Sequence, residues 1–153
     1  MSLSIGASAP TFTLLDDIGA PVALKDLKGS RVVLYFYPKD DTPGCTTQAC
    51  GIRDGWDRVQ ALDVQLFGIS PDSPESHATF RAKFDLPYPL LADEGHVVAE
   101  QYGVWVEKSM YGKKYMGVER STFIISPTGK LEHILHKVKP GEHLDLIVKT
   151  LNG

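Results

Sequence analysis

The stretch "RVVLYFYP", Arg31 to Pro38, limits the fold more than any other part of this chain. It is a continuous apolar run of strand length, without the alternation of a half-exposed strand, and so predicts a strand buried on both faces. "VQLFGIS" and "RSTFIIS" have the same character. Helical patterns fall between these runs. Cys45 to Leu62 carries Ala49, Ile52, Trp56 and Val59 at steps of three or four, and Ser73-Pro74-Glu75 reads as an N-cap with proline at the first helical position, opening a helix through Phe84. "YPLLAD" predicts a short strand and "EGHVVAEQYGV" a short helix ending near Gly103. At the start, "FTLL" and "PVAL" flank Asp16-Asp17-Ile18-Gly19 as a hairpin, and "LKDLKG" is a brief helical turn stopped by Gly29. At the end, Pro127-Thr128-Gly129 turns "KLEHILHKV" back as a second hairpin, before an amphipathic helix in "GEHLDLIVKTLNG". The order predicts an α/β fold with a mixed central sheet and flanking helices, as one domain over residues 1–153.

Composition narrows the function classes. Apolar residues make up 42% and charged residues 23%, an ordinary globular balance. The formal net charge of -3 gives no general attraction to nucleic acid or to anionic membranes. "MSLSIGASAPTF" lacks the basic and apolar regions of a secretory signal, and no apolar stretch approaches the length of a membrane span. A cytoplasmic protein is expected; an organellar one after removal of a leader fits the same composition. The two cysteines are too few for a disulfide framework or a structural zinc site, which leaves packing or redox chemistry.

Both cysteines lie in "KDDTPGCTTQACG", five positions apart and just after the apolar run. With Cys45 in the first turn of the following helix, unpaired N–H groups and the positive end of the helix dipole point toward its sulfur. A free thiol is only about 3% thiolate at neutral pH. Lowering its pKa by about two units, which a helix N-terminus and a nearby cation can do, makes thiolate the main form. Five helical steps at ~1.5 Å and ~100° each put the Cα atoms of Cys45 and Cys50 roughly 8 to 9 Å apart on nearly opposite faces. A disulfide needs them within about 7 Å, so a bond between them requires the helix to unwind. The spacing reads as a switch. The plainer alternative is two small buried hydrophobes on one helix.

"FYPKDDTPGCT" has the form P-x-x-x-T-x-x-C, with Pro38, Thr42 and Cys45. It resembles the active-site motif of the peroxiredoxins, thiol peroxidases built on a thioredoxin fold, with which the predicted element order and added N-terminal hairpin are compatible. Cys50 and "YGKKYMGVERSTFIISPTG" are similar to the bacterioferritin comigratory protein, or peroxiredoxin Q, branch. The resemblance spans essentially the whole chain, including "GASAPTFTL". It implies that Cys45 is the peroxidatic nucleophile toward hydrogen peroxide and organic hydroperoxides. Thr42 would hydrogen-bond the peroxide, Pro38 would shield the thiolate, and Arg120 would stabilise the charges on sulfur and leaving oxygen. Cys50 would resolve the sulfenic acid as an intramolecular disulfide, recycled by thioredoxin or a similar dithiol donor. The implied protein is a monomer that needs no cofactor or metal.

Other features carry plainer readings. His133 and His136 point to opposite faces of a predicted strand, while His77, His96 and His143 are scattered, so no metal site is expected. "EKSMYGKKYMG" mixes aromatics with lysines but reads as a solvated loop beside the active site. Trp56 and Trp105 are packing aromatics, and Asp72 and Glu75 are helix-start charges. Two other functions compete with the peroxidase. A thiol–disulfide carrier is disfavoured by the missing C-x-x-C; a redox sensor or holdase would use the opening of the helix.

Overall fold

The computed structural model describes residues 3–152. Residues 1, 2 and 153, included in the expected domain and its closing helix, lie outside the described residues. The strands are β1 (Thr13–Asp16), β2 (Pro21–Ala23), β3 (Arg31–Phe36), β4 (Val64–Ser70), β5 (Leu90–Ala92), β6 (Trp105–Met110), β7 (Lys113–Val118), β8 (Ser121–Ile125) and β9 (Leu131–Leu135). The helices are α1 (Pro43–Asp54), α2 (Trp56–Gln60), α3 (Pro74–Phe84), α4 (Val97–Gln101) and α5 (His143–Asn152). Single 3-10 turns lie at Leu24–Leu27 and Pro140–Glu142. Among the described residues, no helix is long and apolar enough to cross a membrane.

Seven strands form one mixed sheet in the order β2-β1-β5-β4-β3-β8-β9. β3, β4 and β5 run parallel, linked through α1–α2 and α3, while β8 is antiparallel to β3 and forms the expected hairpin with β9. The N-terminal hairpin β1–β2 joins the far side through β5. Burial on both faces explains the apolar runs. Val32, Leu34 and Phe36 of β3 join the core with Ile69, Phe123 and Tyr102 on one face. Val33, Tyr35 and the following Tyr37 join Leu90, Ile124 and the helices α1, α3 and α5 on the other.

Two expectations fail. The helix predicted from Cys45 to Leu62 begins at Pro43 and breaks at Gly55 into α1 and α2. A Cβ on Gly55 would fall onto Leu144 Cδ2 of α5, so the break lets a distant helix pack close. The expected loop around "EKSMYGKKYMG" is instead the antiparallel hairpin β6–β7, a separate two-stranded sheet. Its turn places Tyr111 and Gly112 at φ 53° and 78°. A Tyr-Gly pair is a weaker turn signal than Asn-Gly, and the strands are mostly exposed, so the hydrophobic pattern gives little warning.

Candidate active site

The chain leaves β3 at Phe36, passes through the half-buried Pro38, and enters α1 with Thr42 at the N-cap position and Pro43 opening the helix. Proline is suited there because it lacks the N–H that would have no helical partner. Cys45 therefore sits in the first turn, where main-chain N–H groups lack helical acceptors. Its side chain is 2% exposed and packs with Ala49 and Ile52, one and two turns on, against the Tyr35 and Tyr37 face of the sheet.

Arg120, just before β8, meets this turn from the strand next to β3. Its Nη1 lies 3.4 Å from Cys45 Sγ and 2.7 Å from Gln48 Oε1. A Cβ on Gly44 would sit 3.1 Å from Arg120 Nη2, so glycine before the cysteine leaves room for the guanidinium. A guanidinium can only donate, which fixes the Gln48 amide: Oε1 faces Arg120 and Nε2 faces His143. Gln48 Nε2 donates to His143 Nδ1 at 2.9 Å, and His143 Nε2–H donates to Thr122 Oγ1 at 2.7 Å. The hydrogen bonds run in one direction from the cation beside the sulfur to a buried strand hydroxyl. His143 is fully buried, and burial together with the Arg120 charge lowers its pKa to about 3, so it is neutral.

Thr42 does not cap α1 with its side chain; its hydroxyl donates to the Lys39 carbonyl at 2.9 Å. Cys50 is half-buried on the same unbroken helix, and both cysteines are free thiols. Of the expected site residues, the structure brings Cys45 and Arg120 into contact and places Thr42 at the mouth of the same turn. Pro38 stands in the loop before it. Gln48, His143 and Gly44 were not expected in the site. Gln48, three residues after Cys45, shares its helix face and could have been found by spacing; His143 is joined only by the tertiary fold.

Comparison with known proteins agrees over nearly the full chain. Residues 5–134 match the AhpC/TSA family. The chain is 49% identical to a putative peroxiredoxin bcp of Coxiella burnetii, over 99% of this chain and 100% of that one. It is 48% identical to peroxiredoxin Bcp of Bacillus subtilis, over 99% and 96%. Among solved structures, a PrxQ mutant from Xylella fastidiosa superposes with a TM-score of 0.92 at 30% identity, covering 99% of this chain and 97% of that one. Peroxiredoxin Q of Xanthomonas campestris gives 0.87 at 36%, covering 92% and 89%. The chain belongs to the AhpC/TSA family, in its peroxiredoxin Bcp and peroxiredoxin Q branch.

Proposed function

We propose that this protein is a thiol-dependent peroxidase in which Cys45 is the nucleophile and Cys50 the resolver. The observation that carries the reading is the Arg120 guanidinium 3.4 Å from a buried sulfur in a helix first turn, itself oriented by Gln48. The Cys45 thiolate attacks the terminal peroxide oxygen, the O–O bond breaks, and the leaving oxygen departs as water or an alcohol after taking up a proton. Arg120 faces the charge that moves from sulfur to the leaving oxygen. Thr42 already donates to Lys39, so toward a peroxide its hydroxyl acts as an acceptor. Pro38, half-buried in the loop that enters α1, is assigned the role of shielding the thiolate from water.

Cys50 then attacks the Cys45 sulfenic acid; an S–S bond forms and water leaves. α1 must unwind for this step, and a thioredoxin-like dithiol reduces the product. The same intact helix counts against a simple dithiol carrier. The Xanthomonas campestris bacterioferritin comigratory protein, 35% identical, is studied for alkyl peroxide reduction, which supports organic hydroperoxides as substrates here. Residues 3–152 act as one domain, in a cytoplasmic monomer whose two cysteines make a partner subunit unnecessary.

The test is intact mass after one equivalent of hydrogen peroxide. The parent loses two hydrogens, Cys50→Ser gains one oxygen, and Cys45→Ser is unchanged. An inert parent would return both cysteines to packing.

A further inference from the structure

Between the end of β3 and the first turn of α1 lies a second polar cluster to which the proposed chemistry gives no part. Asp40 is 7% exposed, and donors converge on its carboxylate. Oδ1 accepts from the Tyr37 hydroxyl at 2.5 Å, while Oδ2 accepts from the Ser76 hydroxyl at 2.8 Å and lies 2.7 Å from His77 Nδ1. The Asp40 backbone N–H donates to Asp72 Oδ2 at 2.8 Å, and the Ser70 hydroxyl donates to that same oxygen at 2.6 Å. Asp72, expected as a helix-start charge, is thus an anchor for the loop. The next residue, Asp41, turns the chain at φ 57° and accepts from Lys83 at 2.7 Å. Side chain and main chain together fasten this loop to α3 and the end of β4.

His77, at 0% exposure, has its ring fixed at both nitrogens. Nε2 lies 2.9 Å from the Leu91 carbonyl, which can only accept, so Nε2 carries a proton. Nδ1 faces a carboxyl group already receiving two hydroxyls, and one proton held between Nδ1 and Oδ2 completes the arrangement. Burial and the Asp40 charge keep the Tyr37 phenol protonated, as its donor role requires. A buried polar pair adds little net stability, because desolvation offsets its hydrogen bond. Its effect here is on geometry.

The geometry reaches the reaction through one short path. Asp40 fixes the peptide that follows Lys39, the Lys39 carbonyl holds the Thr42 hydroxyl, and Thr42 opens the turn that contains Cys45. We infer that the Asp40–His77 pair is a positioning device for peroxide attack, taking the peroxidase reading above as its basis. It touches neither peroxide nor sulfur; it sets where the Thr42 hydroxyl and the first turn of α1 stand. Without it, the loop no longer presents the peroxide acceptor, although Arg120 still faces the sulfur.

The test uses His77→Asn and the milder Ser76→Ala in the Cys50→Ser background, checked for folding by thermal melting. Peroxide oxidation of Cys45, followed by stopped-flow, should slow by about 10-fold to 10²-fold in His77→Asn, the range expected for a small misplacement of reacting groups. Ser76→Ala should slow it by about twofold to fivefold, as for one weakened hydrogen bond. Alkylation by iodoacetamide requires the thiolate but no peroxide cradle, and should change by less than about twofold in both. A lowered melting temperature with an unchanged peroxide rate, or equal losses in peroxidation and alkylation, would overturn the inference. If His77→Asn does not fold, Ser76→Ala decides by the same two rates. A Cys50→Ser parent that takes up no oxygen would instead sink the peroxidase reading.

Discussion

The helix that carries both cysteines is fastened unevenly along its length. Around Cys45, a directed chain of hydrogen bonds joins Arg120, Gln48, His143 and Thr122, and the guanidinium touches the sulfur. Around Cys50, the side chain is half-buried and Gly51, the next residue, has open space at its Cβ position. Among the described residues, two side-chain hydrogen bonds tie this half to other elements, beside the core packing of Ala49 and Ile52: Tyr88 to the Ala49 carbonyl at 3.3 Å, and the half-buried Arg53 to the Phe84 carbonyl at 2.7 Å. In the proposed cycle, peroxide attack needs fixed geometry at one sulfur, whereas disulfide formation needs the other to travel. The uneven fastening supplies both within twelve residues of helix.

The comparison breaks most severely at Arg120. Arg120→Met removes the cation from the sulfur and leaves Gln48 Oε1 without its donor. Loss of one donor aimed at developing negative charge costs about 10²-fold to 10³-fold in comparable sites. The rate of Cys45 oxidation by peroxide should fall by that much, while alkylation of Cys50 in a Cys45→Ser background should not change. A fall below about tenfold would place the main charge stabilisation elsewhere.

His143 sharpens the comparison through pH. Its folded pKa of about 3 lies below the ordinary value near 6.5, so the unfolded chain binds the proton more readily. Stability from the neutral ring is fully present above about pH 6.5 and is lost as pH falls toward 3, by at most about 1.4 kcal/mol per pH unit. Urea unfolding at pH 7 and at pH 5 should show a loss of about 2 kcal/mol in the parent that His143→Gln lacks, after other acid-sensitive groups cancel between the two. Equal pH slopes in both proteins would remove the neutral imidazole from the fastening of α1.

Much of this arrangement is legible in sequence, because its signals are local. β3, β4 and β8 announce themselves as apolar runs, and Ser73 caps α3 through Ser76 N–H as the Ser-Pro-Glu pattern predicts. Thr42 and Cys45 stand where the motif puts them. What escapes the sequence is made by distant partners. The break at Gly55 depends on Leu144; Gln48 meets His143, and Asp40 meets His77, only after the sheet has formed. Histidines that look scattered along the chain thus meet neighbouring parts of one segment: His77 the loop at Asp40, His143 the first turns of α1 through Gln48. The hairpin β6–β7 escapes the sequence for another reason: backbone pairing holds it, with little burial to print a pattern.

The smallest expected effect concerns the Cys50 half of α1. Glycine inside a helix costs about 1 kcal/mol relative to alanine, and nothing lies within 4 Å of the Cβ that alanine would add at Gly51. Gly51 is also outside the positive-φ positions, so alanine meets no backbone strain. Gly51→Ala should therefore stabilise the folded helix by up to about 1 kcal/mol and leave peroxide attack at Cys45 unchanged, since that step occurs with the helix intact. The disulfide step passes through an unwound helix, and its rate should drop by up to about fivefold. Stopped-flow separation of the two phases checks this, with overoxidation at high peroxide rising as the sulfenic acid waits longer. A variant that slows neither phase would mean that α1 opens from its Cys45 end instead, where the buried hydrogen bonds would then have to break in every cycle.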